Sequence, residues 1–183
     1  GIGSRRSRVE LKSVRQINSH GRVNNRICAD AQGLEPSVWI DLTAGDEAAD
    51  RIKIEFVTPL ELKQDGEVIT EVPFGVLFSR LAERLSALSL CYGRGLTGID
   101  WEMLHREAAA VRLLESKLTW SDAERRSTRT GQRHNLSGLI GKAIYDGELG
   151  GFVPWLDAGY WTGVGRHTVW GKGVIHTTKL WRG

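Results

Sequence analysis

Apolar and charged residues alternate most regularly in residues 51–57, where Ile52, Ile54 and Phe56 would share one face. A two-residue period of this kind predicts a β-strand with one buried face. Pro59 has no N–H to give to a sheet ladder, so it should end or bend the strand. Residues 51–57 are therefore predicted as a strand of a half-covered sheet.

The first 48 residues show weaker alternation, interrupted by turn residues. Strands are predicted at residues 9–14, 22–29 and 38–42, and the segment Asn18-Ser-His-Gly21 between the first two favours a hairpin. We interpret residues 1–48 as a β-rich extension that links to an upstream domain.

Three helices are predicted from the three- and four-residue spacing of apolar positions. The strongest stripe begins after Pro73, a residue favoured at the start of a helix, and consists of Phe74, Leu77, Leu81, Leu85 and Leu88. Asp100 is a good N-cap for a second helix that runs to about Leu114. A short third helix is predicted at Phe152–Tyr160.

The remaining strands complete a recognisable order of elements. Residues 118–128 and 136–145 are predicted as a hairpin, and residues 174–180 as a last, edge strand. From residue 49 to residue 183 the order is strand, helix (doubled), strand, strand, helix, strand. This order predicts an α+β fold of the ferredoxin-like (βαββαβ) type, an antiparallel sheet with helices on one face.

Bulk properties exclude some classes of protein but do not select a function. The net charge of +3 is modest, so the placement of the cations matters more than their total. The sequence contains no apolar run of membrane-spanning length and no signal-peptide pattern. Cys28 and Cys91, the two cysteines, are predicted to be reduced and packed, as in a cytoplasmic protein. Because residue 1 is glycine and Met103 is the single methionine, we expect the chain to be a piece of a longer protein.

The first candidate site is a run of basic residues in the predicted hairpin. Its cations are Arg125, Arg126, Arg129 and Arg133, with Ser and Thr hydroxyls between them. Guanidiniums along a strand bind phosphates bidentately, and hydroxyls add hydrogen bonds. An ordinary solvated hairpin would have the same composition, so the residues alone leave both interpretations open.

The second candidate site is the glycine-spaced segment 163–173. Its members that suit an anion, through free backbone N–H groups or positive charge, are Gly163, Gly165, Arg166, Gly171, Lys172 and Gly173. The spacing matches neither the nucleoside triphosphate loop nor the dinucleotide-binding fingerprint. A glycine-rich turn before an edge strand is the equally simple alternative.

Histidines and tryptophans add weaker signals. No histidine pair has zinc-ligand spacing, so no metal site is predicted. His134 and His167 lie in the two basic segments, and either is a candidate general base that takes the proton of a ribose 2′-OH. The tryptophans in apolar contexts are predicted to be core, and those beside polar segments are available to stack on bases. The first group is Trp39, Trp155 and Trp170, and the second is Trp120, Trp161 and Trp181.

Taken in order, five segments resemble the C-terminal half of the CRISPR-associated endoribonucleases of the RAMP superfamily, which process precursor CRISPR RNA. The resembling features are a glycine and basic entry, a Thr-Pro strand end, a Leu/Arg-rich helix closed by Tyr-Gly, a basic strand followed by a Gly-x-x-Gly strand, and a glycine-rich loop. They fall at Gly1–Arg8, Phe56–Leu60, Phe74–Gly93, Arg126–Gly141 and Gly163–Gly173.

The resemblance implies binding of CRISPR repeat RNA and metal-independent cleavage without a cofactor, in which the 2′-OH attacks the adjacent phosphate. It also implies a catalytic histidine in an upstream half, so that this chain alone would bind RNA without cutting it. Two alternatives remain: a non-catalytic RAMP subunit that binds guide RNA with other subunits of an effector complex, and a ferredoxin-like interaction module that does not bind RNA.

Overall fold

The computed structural model describes residues 10, 14–17, 23–28, 40–43, 49–126 and 131–180. The chain divides into two compact units, residues 1–40 and 41–183. In the first unit, β1 (Val14–Ile17) and β2 (Val23–Cys28) pair antiparallel. The predicted return strand is thus confirmed. The first predicted strand, at 9–14, is wrong in its described residues, because Glu10 is not in a strand and β1 begins only at Val14. Residues 9, 11–13 and 18–21 lie outside the described part. Whether residues 1–48 link to an upstream domain stays a prediction.

The third strand predicted in the N-terminal region is wrong in its described residues. Residues 38 and 39 lie outside the described part, and residues 40–43 contain no strand. One oxygen of the Asp41 carboxylate accepts hydrogen bonds from the backbone N–H of Thr43 at 2.9 Å and from its hydroxyl at 2.7 Å. This side-chain turn uses the backbone donor that a strand ladder would need.

The second unit contains the remaining elements. In chain order they are β3 (Arg51–Leu60), β4 (Lys63–Gln64), β5 (Glu67–Val68), α1 (Phe74–Tyr92), α2 (Trp101–Ala110), β6 (Arg112–Ser121), β7 (Glu124–Arg126), β8 (Arg133–Asn135), β9 (Gly138–Asp146), α3 (Val153–Thr162) and β10 (Ile175–Lys179). Four of these strands form one antiparallel sheet in the order β10-β3-β9-β6. The sheet strands numbered along the chain therefore lie in the order fourth, first, third, second. The ferredoxin-like fold class is confirmed.

The core lies between this sheet and the helices. α1 packs against α2 and α3, and α3 also contacts the edge strand β10. The ring of Phe74 meets those of Tyr145 and Phe152 at centroid distances of 5.3 and 5.1 Å, and the ring of Phe78 meets that of Trp155 at 5.5 Å. Burial raises the pKa of Tyr145, whose hydroxyl donates a hydrogen bond to the Val72 carbonyl at 2.8 Å. The apolar stripe predicted for α1 thus faces an aromatic core.

The predicted end of α2 and the predicted bounds of the strand that follows it are wrong, because pairing in the sheet outweighs the local spacing of apolar residues. α2 ends at Ala110 rather than near Leu114, and Leu113 pairs with Tyr145 in the sheet. The strand predicted at 118–128 begins instead at Arg112 and stops at Ser121. The Ser137 hydroxyl accepts from the Ala123 N–H at 3.1 Å, at the break between the long pair β6–β9 and the short hairpin β7–β8.

Two residues predicted to be packed are exposed. Cys91 is a free thiol at the surface near the end of α1, and Trp170 is 37% exposed. Trp155 is buried as predicted, Trp120 and Trp161 are exposed beside polar segments, and Trp39 and Trp181 lie outside the described residues. Within the described residues, no helix is long and apolar enough to cross a membrane.

Candidate nucleic-acid interface

The glycine-rich loop, residues 163–173, connects α3 to β10 and is closed at its base by backbone hydrogen bonds. The Val164 N–H donates to the Gly173 carbonyl at 2.9 Å, and the Gly173 N–H donates to the Pro59 carbonyl at 3.1 Å. Beside them, the Val174 N–H donates to the Thr58 hydroxyl at 2.9 Å. The Thr-Pro segment of β3 therefore anchors the loop. β3 continues past Pro59 because Leu60 pairs with Leu139, and the register is irregular between Phe56 and Leu60.

Glu61 joins the loop to the end of β3 a second time, through an ion pair on each carboxylate oxygen. One oxygen lies 2.5 Å from the Arg166 guanidinium and the other 2.6 Å from the Lys172 ammonium. The Lys172 ammonium also donates to the Ser137 carbonyl at 2.7 Å, and the Glu61 carbonyl accepts from the Arg166 N–H at 3.0 Å. Burial raises the pKa of Glu61, but the hydrogen bonds and charges of Lys172 and Arg166 outweigh it, and the pKa lies below its usual value.

The two cations bound by Glu61 differ in their exposure. The side chain of Lys172 is 2% exposed, whereas that of Arg166 is 48% exposed. The charge of Lys172 is therefore used inside the protein, and its ammonium is not accessible to a phosphate. Arg166 keeps part of its guanidinium at the surface of the loop.

The basic hairpin is formed by β7 and β8, in which Arg125 pairs with His134 and Arg126 with Arg133. The Arg133 side chain is 73% exposed, and its guanidinium lies 3.4 Å from the Glu124 carboxylate, a distance typical of a weak surface pair. Residues 127–130, including Arg129, and the side chains of Arg125 and Arg126 lie outside the described part of the structure.

Trp170 brings the basic hairpin and the glycine-rich loop together. Its ring contacts those of two histidines: it stacks on His167 at 4.9 Å with an interplanar angle of 2° and is tilted against His134 at 4.6 Å. Trp170 ends a 3-10 turn, Thr168–Trp170, whose preceding residue His167 has a φ of 60°. The hairpin and the loop, which are distant in sequence, are therefore in contact through His134 and Trp170.

Sequence reasoning identified the two segments but missed Glu61 and the position of Trp170. Glu61 carries no motif, and its partners are 105 and 111 residues away, so only the folded chain reveals the pairing. The apolar neighbours of Trp170 resemble a core segment. Among the described residues, no three or more His, Cys, Asp or Glu side chains lie close enough together to hold a metal ion.

One family model and several solved structures match this chain. Residues 54–175 match the family model of the CRISPR-associated endoribonuclease Cas6. The chain is similar to the solved structure of Thermus thermophilus Cas6, with a TM-score of 0.59 and 15% identity over 86% of this chain and 65% of that chain. It is similar to a Cas6 product complex with a TM-score of 0.57 and 16% identity, over 84% of this chain and 62% of that one.

A third similarity is to a partial Cas6-RT-Cas1–Cas2 complex, with a TM-score of 0.52 and 16% identity over 73% of this chain and 23% of that one. No curated protein matches the sequence. The chain spans less than two thirds of the length of these solved relatives. At such low identity the solved structures support the fold, whereas the family match covers more than half of the sequence. The chain belongs to the CRISPR-associated endoribonuclease Cas6 family.

Proposed function

We propose that this chain is the RNA-binding part of a metal-independent endoribonuclease that processes CRISPR repeat RNA. The observation that carries the proposal is the contact of the basic hairpin and the glycine-rich loop at Trp170, within a chain of the Cas6 family. The proposed partners are repeat RNA, the CRISPR RNA made from it and, in a larger effector assembly, other CRISPR subunits.

The proposed RNA surface uses cations from both segments. The hairpin contributes Arg125, Arg126, Arg129 and Arg133, and the loop contributes Arg166 and the backbone N–H group of Gly165. The other three loop glycines were predicted as anion donors, but their N–H groups are used within the chain: those of Gly163, Gly171 and Gly173 donate to the carbonyls of Gly159, Thr168 and Pro59. Because Lys172 is buried on Glu61, we assign it the role of holding the loop in shape rather than of contacting phosphate. Arginine suits a phosphate surface because its guanidinium donates in a planar fork.

The proposed cleavage is a transfer within the RNA. The 2′ oxygen attacks the adjacent phosphorus, the bond from phosphorus to the 5′ oxygen breaks, and the products are a 2′,3′-cyclic phosphate and a 5′-OH. A base takes the 2′-OH proton and an acid supplies a proton to the leaving 5′ oxygen. Since the nucleophile belongs to the substrate, the chemistry requires no cofactor. His134 and His167, whose rings both contact that of Trp170, stay candidates for the proton transfers.

Replacement of three hairpin cations, Arg126, Arg129 and Arg133, by Gln should weaken binding of a repeat hairpin RNA at least tenfold at low salt. Each lost phosphate contact removes one released counterion, so the slope of log affinity against log salt should fall by about two to three. Fluorescence anisotropy titrations at several salt concentrations measure both quantities.

The matched control removes three exposed cations elsewhere, Arg106, Lys117 and Lys142, by the same substitution. This variant has the same net charge as the hairpin variant and should bind nearly as the wild type does. Equal losses in both variants would show that net charge alone attracts the RNA, and unchanged binding by the hairpin variant would rule out the hairpin as the RNA surface.

The complete protein should cleave a repeat hairpin in the presence of EDTA and leave a 2′,3′-cyclic phosphate. If His134 or His167 transfers a proton in this step, its replacement by Ala should lower the single-turnover rate by about 10²–10⁴-fold. Gel separation of end-labelled RNA, with and without phosphatase treatment, identifies the products. Tight binding without cleavage would favour the non-catalytic RAMP subunit, and unchanged rates in both histidine variants would exclude them from the chemistry.

A further inference from the structure

A groove of about 660 Å³ runs beside the glycine-rich loop, along the second half of α1. One wall is the α1 face that carries Arg80, Arg84, Leu88 and Tyr92, and the opposite side includes Glu61 and Arg166. Because residues four apart lie on one helix face, Arg84, Leu88 and Tyr92 form a continuous row. This row is not part of the surface proposed above.

Arg84 is the chemically distinctive member of this row. Its Nε donates to the Thr162 carbonyl at 2.7 Å, which fixes the guanidinium at the end of α3. The side chain is half-buried, and burial lowers the pKa of the guanidinium. Among the described residues no carboxylate is paired with it, and a partly desolvated guanidinium without a counter-charge is stabilised by an anion.

Arg80, one turn earlier on α1, shows the contrast. Its guanidinium donates to both oxygens of Glu83 at 2.9 and 2.8 Å, and also to the Lys63 carbonyl at 3.1 Å. The charge of Arg80 is therefore compensated within the protein. The two arginines line the same groove, but only Arg84 lacks a carboxylate among the described side chains.

The other end of the row is aromatic and exposed. Tyr92, the last residue of α1, is 87% exposed. An exposed ring beside a cationic groove suits a nucleobase, because every base has a face that stacks on an aromatic side chain. A helical rise of about 1.5 Å per residue separates Arg84 from Tyr92 by roughly 12 Å along the axis. This spacing can be spanned by a short single-stranded segment.

We propose that this groove binds the single-stranded RNA that flanks the repeat stem, with a phosphate on the Nη groups of Arg84 and a base on Tyr92. Gly165 and Arg166 belong both to the glycine-rich loop and to the groove lining, so an RNA strand that leaves the loop enters the groove directly. The inference rests on the proposed RNA-binding function and names a second, separate subsite for it.

Cys91 gives a direct measurement, because its free and exposed thiol also lines the groove. In the 183-residue chain with Cys28→Ser, Cys91 is the single cysteine, and its alkylation by iodoacetamide can be timed by mass spectrometry. Three RNAs are compared: the bare repeat stem, the stem with a 5′ single-stranded extension, and the stem with a 3′ extension. With RNA at about ten times its Kd, one of the extensions should slow alkylation roughly tenfold, whereas the bare stem should not.

The outcomes separate this inference from the proposed function. If both extended RNAs bind but neither protects Cys91 more than the bare stem does, the groove is not the subsite. If none of the three RNAs binds, the proposed function itself fails, and the inference fails with it.

Arg84→Gln tests the phosphate contact, with Arg80→Gln as the matched control. Loss of a charge-assisted hydrogen bond should weaken binding of the protective extended RNA about tenfold, while affinity for the bare stem stays unchanged. Arg80→Gln should leave both affinities nearly unchanged, since its charge is already paired. Equal losses in the two variants, or an equal loss for the bare stem, would overturn the assignment of Arg84, and circular dichroism identifies any variant that has lost its fold.

Discussion

Gly173→Ala should destabilise the second unit by about 4 kcal/mol and abolish the closed form of the glycine-rich loop. A Cβ at this position would lie 1.8 Å from the Val164 carbonyl oxygen, and the residue has a φ of 73°, which side chains rarely adopt. The loop can relieve the clash only by separating the two chain segments that meet at its base. That movement breaks the hydrogen bonds that Gly173 makes with Val164 and Pro59.

Gly171→Ala is the matched control for this effect. Gly171 lies in the same loop with a φ of 86°, but no atom lies within 4 Å of the point that an added methyl group would occupy. Its substitution should cost only the left-handed backbone strain, about 1 kcal/mol. Urea denaturation of both variants measures the difference, as a shift of the midpoint at unchanged slope. Similar midpoints for the two variants would show that close approach of the backbones does not shape the loop.

The central strand of the sheet and the long helix α1 could be predicted from the sequence, because the spacing of apolar residues that indicates each of them lies within one short segment. Residues 51–57 alternate without interruption, and the stripe of α1 is unbroken. The boundary between α2 and β6 could not be predicted, since Leu113 and Leu114 continue a helical pattern as well as they begin a strand. The pairing of Leu113 with Tyr145, a contact between distant residues, decides the boundary.

The candidate site was predictable in part, for a similar reason. Arginine runs and glycine spacing are visible in composition, so the hairpin and the loop could be named before their positions were known. Their contact depends on Trp170, which sequence context assigned to the core, and on Glu61, which no motif distinguishes. As a result, Lys172 was predicted as a phosphate ligand, although its buried position gives it a structural role.

Lys172→Met should lower the free energy of unfolding by about 3 kcal/mol. The ammonium of Lys172 is almost fully buried and makes two short contacts, with the Glu61 carboxylate at 2.6 Å and with the Ser137 carbonyl at 2.7 Å. Methionine fills a similar volume but provides no charge and no donor. Glu61 would then stay largely buried with Arg166 as its remaining ion-pair partner among the described residues, so most of the cost comes from an undercompensated carboxylate.

Arg166→Met removes the other partner of the same carboxylate and should cost less than about 1 kcal/mol. The Arg166 side chain is 48% exposed, so water screens its ion pair with Glu61. Removal of Arg166 therefore carries no added desolvation cost. If the double variant Lys172→Met/Glu61→Leu regains stability relative to Lys172→Met, the cost lies in the unpaired carboxylate rather than in the lost ammonium. Denaturant midpoints of the three variants give this comparison. Equal effects of Lys172→Met and Arg166→Met would contradict the structural role of Lys172, because its burial would then not distinguish it from the exposed Arg166, which is proposed to contact RNA.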